Sequence, residues 1–529
     1  MKRFDAIIIG GGVTGAGIAR DLALRGLSVL LVERKDFASG ATGGCHGLLH
    51  SGGRYVVKDP ESAKECAKEN IILRKIAKHI IDDTGGLFIA LKEDPEDYPE
   101  KFLRGCKSTG VVCKSLLPSE ALKLEPNINP DIREAFWVND ASIDPFLLTL
   151  LNLLDAHDSG AVIKNYSEVV GFITRGNEIT RVKILDHRKK ILEEFQADTI
   201  VNAAGAWTGK IAALAGITLP IQPNQGTLIV ATDRIVNRVI NRLRPPSDGD
   251  IIVPHHTTSI LGTTSVNITD PDKAFPTQEE VLKLYREGVK TIPKLRNYRF
   301  IRVYAAVRPL VGAGTGRDIS RTFVIFDHEN DGFSNFITIA GGKLTTYRLM
   351  AEKASDIVMK KLGKSGKCVT HKEPLPGFYD EKELTKLLKK AKFMPEILLK
   401  AFNKWGLLAR RFLRDPEFND IVCECEMVSK AEIRYAIKHT WALRISDLRR
   451  RTRLSMGPCQ GQNCLLPSLG IIHEETNREE LELVKEYLKY LEGRFSPLKP
   501  LLYGSQARQY IFTLSILRIL GNFDKLRGL

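Results

Sequence analysis

Four of the nine cysteines cluster late in the chain, as Cys423-Glu-Cys425 and then Cys459-Gln-Gly-Gln-Asn-Cys464. Thiolates in two short-spaced pairs are metal ligands by type and spacing. Two centres fit. Zinc takes four sulfurs from closely spaced pairs; Cys459/Cys464 suits it, and Cys-x-Cys is less typical. A [2Fe–2S] cluster takes two thiolates on each iron. The intervening segments KAEIRYAIKHT and ISDLRRRTR read as helices, and Gly457-Pro458 marks a turn before Cys459. The four sulfurs are therefore expected to converge at one end of a small helical unit. The other five cysteines (Cys45, Cys66, Cys106, Cys113 and Cys368) are scattered. With an odd total and no secretory signal, no disulfide framework is expected.

A second chemistry sits at the opposite end. Residues 4–9, FDAIII, form an apolar β-branched run that reads as a buried strand. Gly10-Gly11-Gly12-Val13-Thr14-Gly15 follows, then AGIARDLALRG with helical spacing, ending at Gly26. LSVLLVE comes next, a second strand closed by Glu33. In such a unit Gly10 allows the tight turn and Gly12 lets backbone approach a pyrophosphate. Gly15 lets helix and strand pack closely. Val13 and Thr14 open the helix, whose N-terminus faces the phosphates. Glu33 is placed to accept the ribose hydroxyls, with Arg34 beside it.

Glycine turns of this kind serve FAD and NAD alike; three further segments favour FAD. Residues 39–55, SGATGGCHGLLHSGGRY, are polar and glycine-rich, suited to wrap a pyrophosphate and an isoalloxazine. Thr42, His46, Gly47 and Leu48 are the expected contacts there. Residues 198–207, DTIVNAAGAW, run from a strand into a small-residue turn, with Ala203, Gly205 and Trp207 near the cofactor. Residues 336–348, FITIAGGKLTTYR, form a strand, a Gly341-Gly342 turn and a helix start. Lys343, Leu344 and Thr345 lie where a helix N-terminus would stabilise an anionic reduced flavin.

The elements that position these groups need more than one domain, because 529 residues exceed a single compact core. The net charge of +15 is spread over solvated helix faces, with no nucleic-acid-binding signature, and nucleic acid is excluded as a partner. The apolar start is interrupted by Asp5 and lacks a small-residue cleavage site, so it is not read as a signal peptide. No run is long enough to span a bilayer. The expected location is cytoplasmic, with peripheral association at the inner face of the cell membrane. The apolar, basic-flanked end, RQYIFTLSILRILGNFDKLRGL, suits docking on a membrane or partner, or packing against the body.

The chain resembles the FAD-dependent glycerol-3-phosphate dehydrogenases, within the D-amino-acid-oxidase-like flavoproteins. The matching pieces are IIIGGGVTGAGIARDLALRGLSVLLVE, LLHSGGRY, VNAAGAW, AAVRPL at 305–310 and GGKLTTYR at 341–348. They cover about the first 350 residues. The RRRTRLSMGPCQGQNC segment at 449–464 resembles the cysteine-rich extension found in the large catalytic chain of the anaerobic-type enzyme. The cysteine pattern resembles the bacterioferritin-associated-ferredoxin [2Fe–2S] domain. Where relatives carry serines or lysine, this chain has Cys45 and His46.

The resemblance implies oxidation of sn-glycerol 3-phosphate to dihydroxyacetone phosphate by hydride transfer to flavin N5. Electrons pass to a quinone or protein acceptor, with electron-transfer or membrane-anchor subunits as partners and oligomers allowed. It places Arg54, Arg308 and Arg321 around the substrate and Lys343 close to flavin and substrate. Guanidinium groups match phosphate, so Arg54 and Arg321 are expected to clamp it, with Tyr55 adding a hydroxyl and Arg308 near the reacting alcohol. His50 and His255 are the candidate bases, His255 the favoured one.

The expected fold is α/β: an FAD-binding Rossmann-like domain with an inserted mixed-sheet substrate domain, then a mostly helical C-terminal region. The oxidoreductase domain spans 1–362, with dinucleotide-binding parts at 1–75, 145–215 and 300–362. Its substrate-side parts are 76–144 and 216–299. Residues 362–376 read as a linker. The helical region spans 377–529, with the cysteine-binding unit at 420–470. Two other readings remain open: a flavin-dependent 2-hydroxyacid or amino-acid oxidoreductase of the same fold, and a non-catalytic FAD/cluster redox sensor or scaffold.

Overall fold

The structure is a computed structural model. It describes residues 2–312, 314, 317, 319, 322–379, 382, 384–386, 395–502 and 504–520. Arg321 lies outside the described residues.

The strand Arg3–Ile9 is central to a mixed sheet because its apolar side chains are shielded on both faces. Val29–Val32 and Val162–Lys164 lie parallel to it on one side, and Ile191–Asn202 and Phe336–Gly341 on the other. Phe323–Asp327 pairs antiparallel at the outer edge. A hairpin of Ser167–Arg175 and Glu178–Asp186 joins the first half of Ile191–Asn202. The helix Val13–Leu24 packs on the sheet beside the helices Pro145–Asp158 and Tyr347–Lys361. Its small residues permit this closeness: a Cβ at Gly17 would lie 3.0 Å from the Tyr347 ring.

A second, nine-stranded sheet is built mainly from two separated stretches, including Gly86–Ala90, Glu134–Val138, Ile221–Ala231, Ile251–His255 and Thr258–Gly262. Phe300–Val311 completes it, pairing antiparallel along Ile221–Ala231. The dinucleotide-binding part is expected from sequence to resume at residue 300; the chain instead stays in the substrate-side sheet through Val311. An apolar run such as VYAAVRPLV fits either sheet, and only its long-range partner decides.

Residues 362–376 are irregular but not loose. Arg20, buried in the first helix, bonds Asp155 at 2.5 Å and the Glu373 carbonyl at 2.9 Å, and Leu375 is buried in the core. Beyond them come the helices Pro395–Trp405, Lys430–His439, Ile445–Thr452, Leu465–Thr476, Glu480–Phe495 and Gly504–Leu520. A short ribbon pairs Ile421–Cys423 with Val428–Ser429. Buried charge fastens this region to the oxidoreductase body. Arg450 and Arg451 reach Asp36 at 2.8 and 2.6 Å, and Arg453 reaches Asp144 at 2.8 Å.

Candidate active site and cysteine centre

A cavity of about 860 Å³ runs between the two sheets. At one end Glu33 closes the second strand; its carboxylate accepts from the Gly11 and Lys35 amides at 2.7 and 2.8 Å. Arg34 stacks on Trp207 and pairs with Asp272 at the same end. The glycine turn forms the floor. Gly10 has φ +116°, and a Cβ there would meet the Ala203 carbonyl oxygen at 2.5 Å. A Cβ at Gly15 would lie 2.0 Å from the Gly10 carbonyl oxygen, so strand and helix close here only without side chains. The Thr42 hydroxyl accepts from the Val13 amide at 3.1 Å.

Gly10, Gly12, Val13, Thr14, Glu33, Arg34, Thr42, His46, Leu48, Ala203, Gly205, Trp207, Gly341, Gly342, Lys343 and Leu344 all line this cavity. Gly15, Gly47 and Thr345 lie just behind it. The buried Thr345 hydroxyl accepts from the His50 amide at 3.0 Å. The helix expected to start at Lys343 begins at Tyr347, and residues 342–346 form the turn that leads into it.

At the far end Arg54, Tyr55, Arg308 and Lys343 face the same space. Arg54 bonds Asp250 at 2.7 Å, and Asp250 also holds Arg244. Arg308 donates to the Thr264 carbonyl and, at 3.1 Å, to the Thr263 hydroxyl. Lys343 donates to Ser62 at 2.9 Å and sits 4.8 Å from the Tyr55 ring centroid. Arg317, not foreseen from the sequence, joins them: it pairs with Asp248 and donates to the Thr263 carbonyl at 2.9 Å. Only the loop's arrival against the sheet reveals it.

Two histidines stand among these cations. Burial, then Arg308 and Arg54, push His46 down to about 3. Burial, then His46, Lys343 and Arg54, hold His50 well below the ordinary imidazole value. Both rings are neutral. The Nε2 of His46 is buried and makes no hydrogen bond, which suits it to a polar atom of a bound group. His255, the favoured base, is elsewhere. It lies behind Gly47, with Nδ1 3.3 Å from the Ser142 hydroxyl and Nε2 3.1 Å from Arg453. Its environment is set by an arginine far along the chain, which a local reading of Pro-His-His misses. Cys45 is no nucleophile, because burial lifts its thiol to about 11.

The cavity fits an extended dinucleotide. It offers an acid at the ribose end, a side-chain-free turn with helical amides at its middle, and small residues beyond. Glu33, the Gly10–Gly15 turn, Thr42 and the Gly341-Gly342 turn would hold FAD, with its flavin toward Lys343 and His46.

The cysteines converge as two pairs. Cys423 ends one strand of the ribbon and touches Cys464, the residue at which the helix Leu465–Thr476 starts. Cys425, in the ribbon's turn, touches Cys459. All four are free thiols. The Cys464 contact and the Ser455 and Glu426 amides favour the thiolate at Cys423. Met427, Arg453, Ser455 and Gln460, around these loops, hold φ between 50 and 67°, a conformation non-glycine residues adopt at some cost. One tetrahedral zinc would bring all four sulfurs to about 3.8 Å of each other. Among the described residues, the only group of three or more ligand atoms all within 4.8 Å is Asp144, His255 and His256. Sulfurs brought together as two pairs, Cys423 with Cys464 and Cys425 with Cys459, match the two thiolates that each iron of a [2Fe–2S] cluster takes.

Residues 5–348 match the FAD dependent oxidoreductase family, and residues 421–474 match the BFD-like [2Fe-2S] binding domain. The chain is 45% identical to the A subunit of the anaerobic glycerol-3-phosphate dehydrogenase of Haemophilus influenzae, over 96% of this chain and 92% of that one. It is 42% identical to the corresponding subunit in Escherichia coli K12, over 98% and 97%. In fold it is similar to the glycerol-3-phosphate dehydrogenase of Bacillus halodurans complexed with FAD, with TM-score 0.75 and 24% identity over 94% of this chain and 96% of that one. The cofactors are FAD and a [2Fe–2S] cluster. An FAD-binding fold and a ferredoxin-type domain joined in one polypeptide, with relatives of this identity along nearly its whole length, establish that the chain belongs to the family of FAD-dependent anaerobic glycerol-3-phosphate dehydrogenase A subunits.

Proposed function

We propose that the chain oxidises sn-glycerol 3-phosphate to dihydroxyacetone phosphate and passes the electrons on through its cluster. The observation that carries this reading is the far end of the cavity, where Arg54, Arg308, Arg317 and Lys343 converge around two neutral histidines. Such a cationic end matches a phosphate dianion. The phosphate is gripped by Arg54 and Arg317, whose guanidinium groups are braced by Asp250 and Asp248. Arg308, held at Thr263 and Thr264, orients the C2 hydroxyl. FAD, when bound, supplies the hydride acceptor.

His50 takes the hydroxyl proton. Its ring is neutral in the free site, so it can accept one. Burial is the main cause of its low pKa, and Arg54, which adds to it, is a cation that a bound phosphate would neutralise, so substrate binding raises its basicity when it is needed. This assigns His50 the role expected of His255.

The electrons leave as singles through the cluster held by Cys423, Cys425, Cys459 and Cys464. They reach the quinone pool by way of separate electron-transfer or membrane-anchor subunits. Among the described residues no helix is long and apolar enough to cross a membrane. The helix Gly504–Leu520 exposes Ile511 and Phe512, at 62% and 58%, and is the surface assigned here to that partner.

The test is anaerobic addition of glycerol 3-phosphate to the FAD-loaded chain. Stoichiometric bleaching of the flavin band is expected. In Arg54→Ala and Arg308→Ala, FAD stays bound and bleaching is lost. Bleaching by lactate or an amino acid in place of glycerol 3-phosphate would refute the reading.

A further inference from the structure

A second cavity, of about 320 Å³, lies against the back of the loop 39–45 that walls the first. Its other walls include Arg302 and Tyr304 from the strand Phe300–Val311, Arg449 from the helix Ile445–Thr452, and Met456 and Gln460 from the loop that carries Cys459. It therefore stands between the dinucleotide cavity and the cysteine centre. Neither the Gly10–Gly15 turn nor Arg54, Arg308 or Lys343 reaches it.

Its charge is unbalanced. The single acid among its walls, Asp272, is already held by Arg34 and Lys210. Arg450 is neutralised by Asp36, and Arg453 by Asp144 and Glu426. Arg302 and Arg449 have no carboxylate partner among the described residues. The Nη1 of Arg302 and the Nε of Arg449 are shut off from solvent and make no hydrogen bond. A third cation, Arg494, lies close to Arg302; its Nη1 and Nη2 donate to the Gln460 and Cys459 carbonyls, and its Nε is also orphaned. Burial, then the Arg302 charge, lowers the Arg449 guanidinium to about 9. Burial alone would raise the Tyr490 phenol, yet Arg449 and Arg302 beside it bring it below its ordinary value. A fold does not keep adjacent, partly buried guanidinium groups, with nitrogens shut off from solvent and no carboxylate beside them, at no cost; they are the complement of an anion.

We propose that this second cavity is an anion site, in which Arg302 and Arg449 hold a phosphate group, as free phosphate or as a small phosphomonoester. Guanidinium forks match phosphate oxygens, and the volume suits a small ligand and excludes a second dinucleotide. The inference stands apart from the identity of the substrate in the first cavity.

The experiment uses the full chain loaded with FAD and cluster. Binding of radiolabelled inorganic phosphate is measured by equilibrium dialysis at constant ionic strength, with chloride as the balancing salt. The Arg54→Ala/Arg317→Ala variant removes the phosphate-gripping groups of the first cavity and is expected to retain about one bound phosphate per chain. Adding Arg302→Met/Arg449→Met is expected to abolish that binding. The Arg302→Met/Arg449→Met chain without phosphate is expected to melt at or above the parent temperature, because it no longer crowds two partly buried, uncompensated cations together. Displacement of the label by glycerol 2-phosphate assigns the site to phosphomonoesters, and its retention assigns it to the free anion. Loss of all binding in Arg54→Ala/Arg317→Ala overturns the proposal. Undiminished binding in Arg302→Met/Arg449→Met, or a lower melting temperature of that chain without phosphate, does so too, the last because it shows the arginines to be structural.

Discussion

Single side chains decide what the first cavity can grip. Arg317 donates into the same Thr263 that receives Arg308, so the two are braced against one residue. Arg317→Ala is expected to raise KM for glycerol 3-phosphate about 10- to 100-fold, the loss of one charge-assisted contact, with a smaller change in kcat. Steady-state kinetics with an artificial acceptor checks the split. His50→Asn is expected to lower kcat by about 100-fold or more while the flavin spectrum stays unchanged. His255→Asn, behind Gly47, is expected to leave kcat within a few-fold. If the two variants exchange these effects, the base has been misassigned. At this scale the sequence is informative where chemistry is local. The glycine turn, Glu33 and the four cysteines carry their meaning within a few residues. Arg317 and His255 do not: one depends on where a loop lands, the other on Arg453, which reaches it across the chain.

At the scale of elements, tolerance is set by backbone approach. The contact between the first strand and its helix is so close that a Cβ at Gly15 meets a carbonyl. Gly15→Ala is expected to fold with a displaced helix and to purify with less than half the parent FAD content, read from the ratio of flavin to protein absorbance. Strand–turn–helix order is legible because apolar periodicity and the glycines agree. Strand partnership is not. Phe300–Val311 reads equally well for either sheet, and its eleven-residue partner Ile221–Ala231 lies far upstream. The helix start after Gly342 is read too early for a related reason. Lys343 and Thr345 are called away, to Ser62 and His50, and the turn must finish before the helix can begin.

At the scale of the whole molecule, the ferredoxin-type region is bound to the oxidoreductase body by buried charge. Arg453 neutralises both Asp144 and Glu426. Burial opposes ionisation of these carboxylates, but His256 and Arg453 hold Asp144 far below its usual range, and Arg453 first among several groups brings Glu426 to about 2. Groups with depressed folded values contribute stability above their unfolded pKa, near 4, and that contribution is lost as pH falls below it. Arg453→Met takes the guanidinium from two buried carboxylates, which keep only His256, Thr257 and the Phe146 and Leu147 amides, a loss of about 3 kcal/mol at neutral pH. Their folded pKa values then rise, so the variant is expected to gain stability as pH falls from 7 to 5, while the parent stays level. Chemical denaturation across that interval measures the opposite slopes. Parallel slopes would show that Arg453 is not the counter-charge. None of this is visible in the RRRTR run as sequence, because two of the acids it meets, Asp36 and Asp144, sit hundreds of residues upstream.

The docking of residues 362–376 and the Asp36 and Asp144 contacts have a kinetic corollary. Flavin site and cysteine centre are packed together within one chain, so on the proposed route an electron moving between them would not wait for a collision. On that route its rate would be independent of dilution and of solvent viscosity, whereas the onward step to the proposed partner protein would scale with the concentration of that protein. In a stopped-flow record, the first phase should therefore stay constant across a hundredfold dilution while the second stretches in proportion.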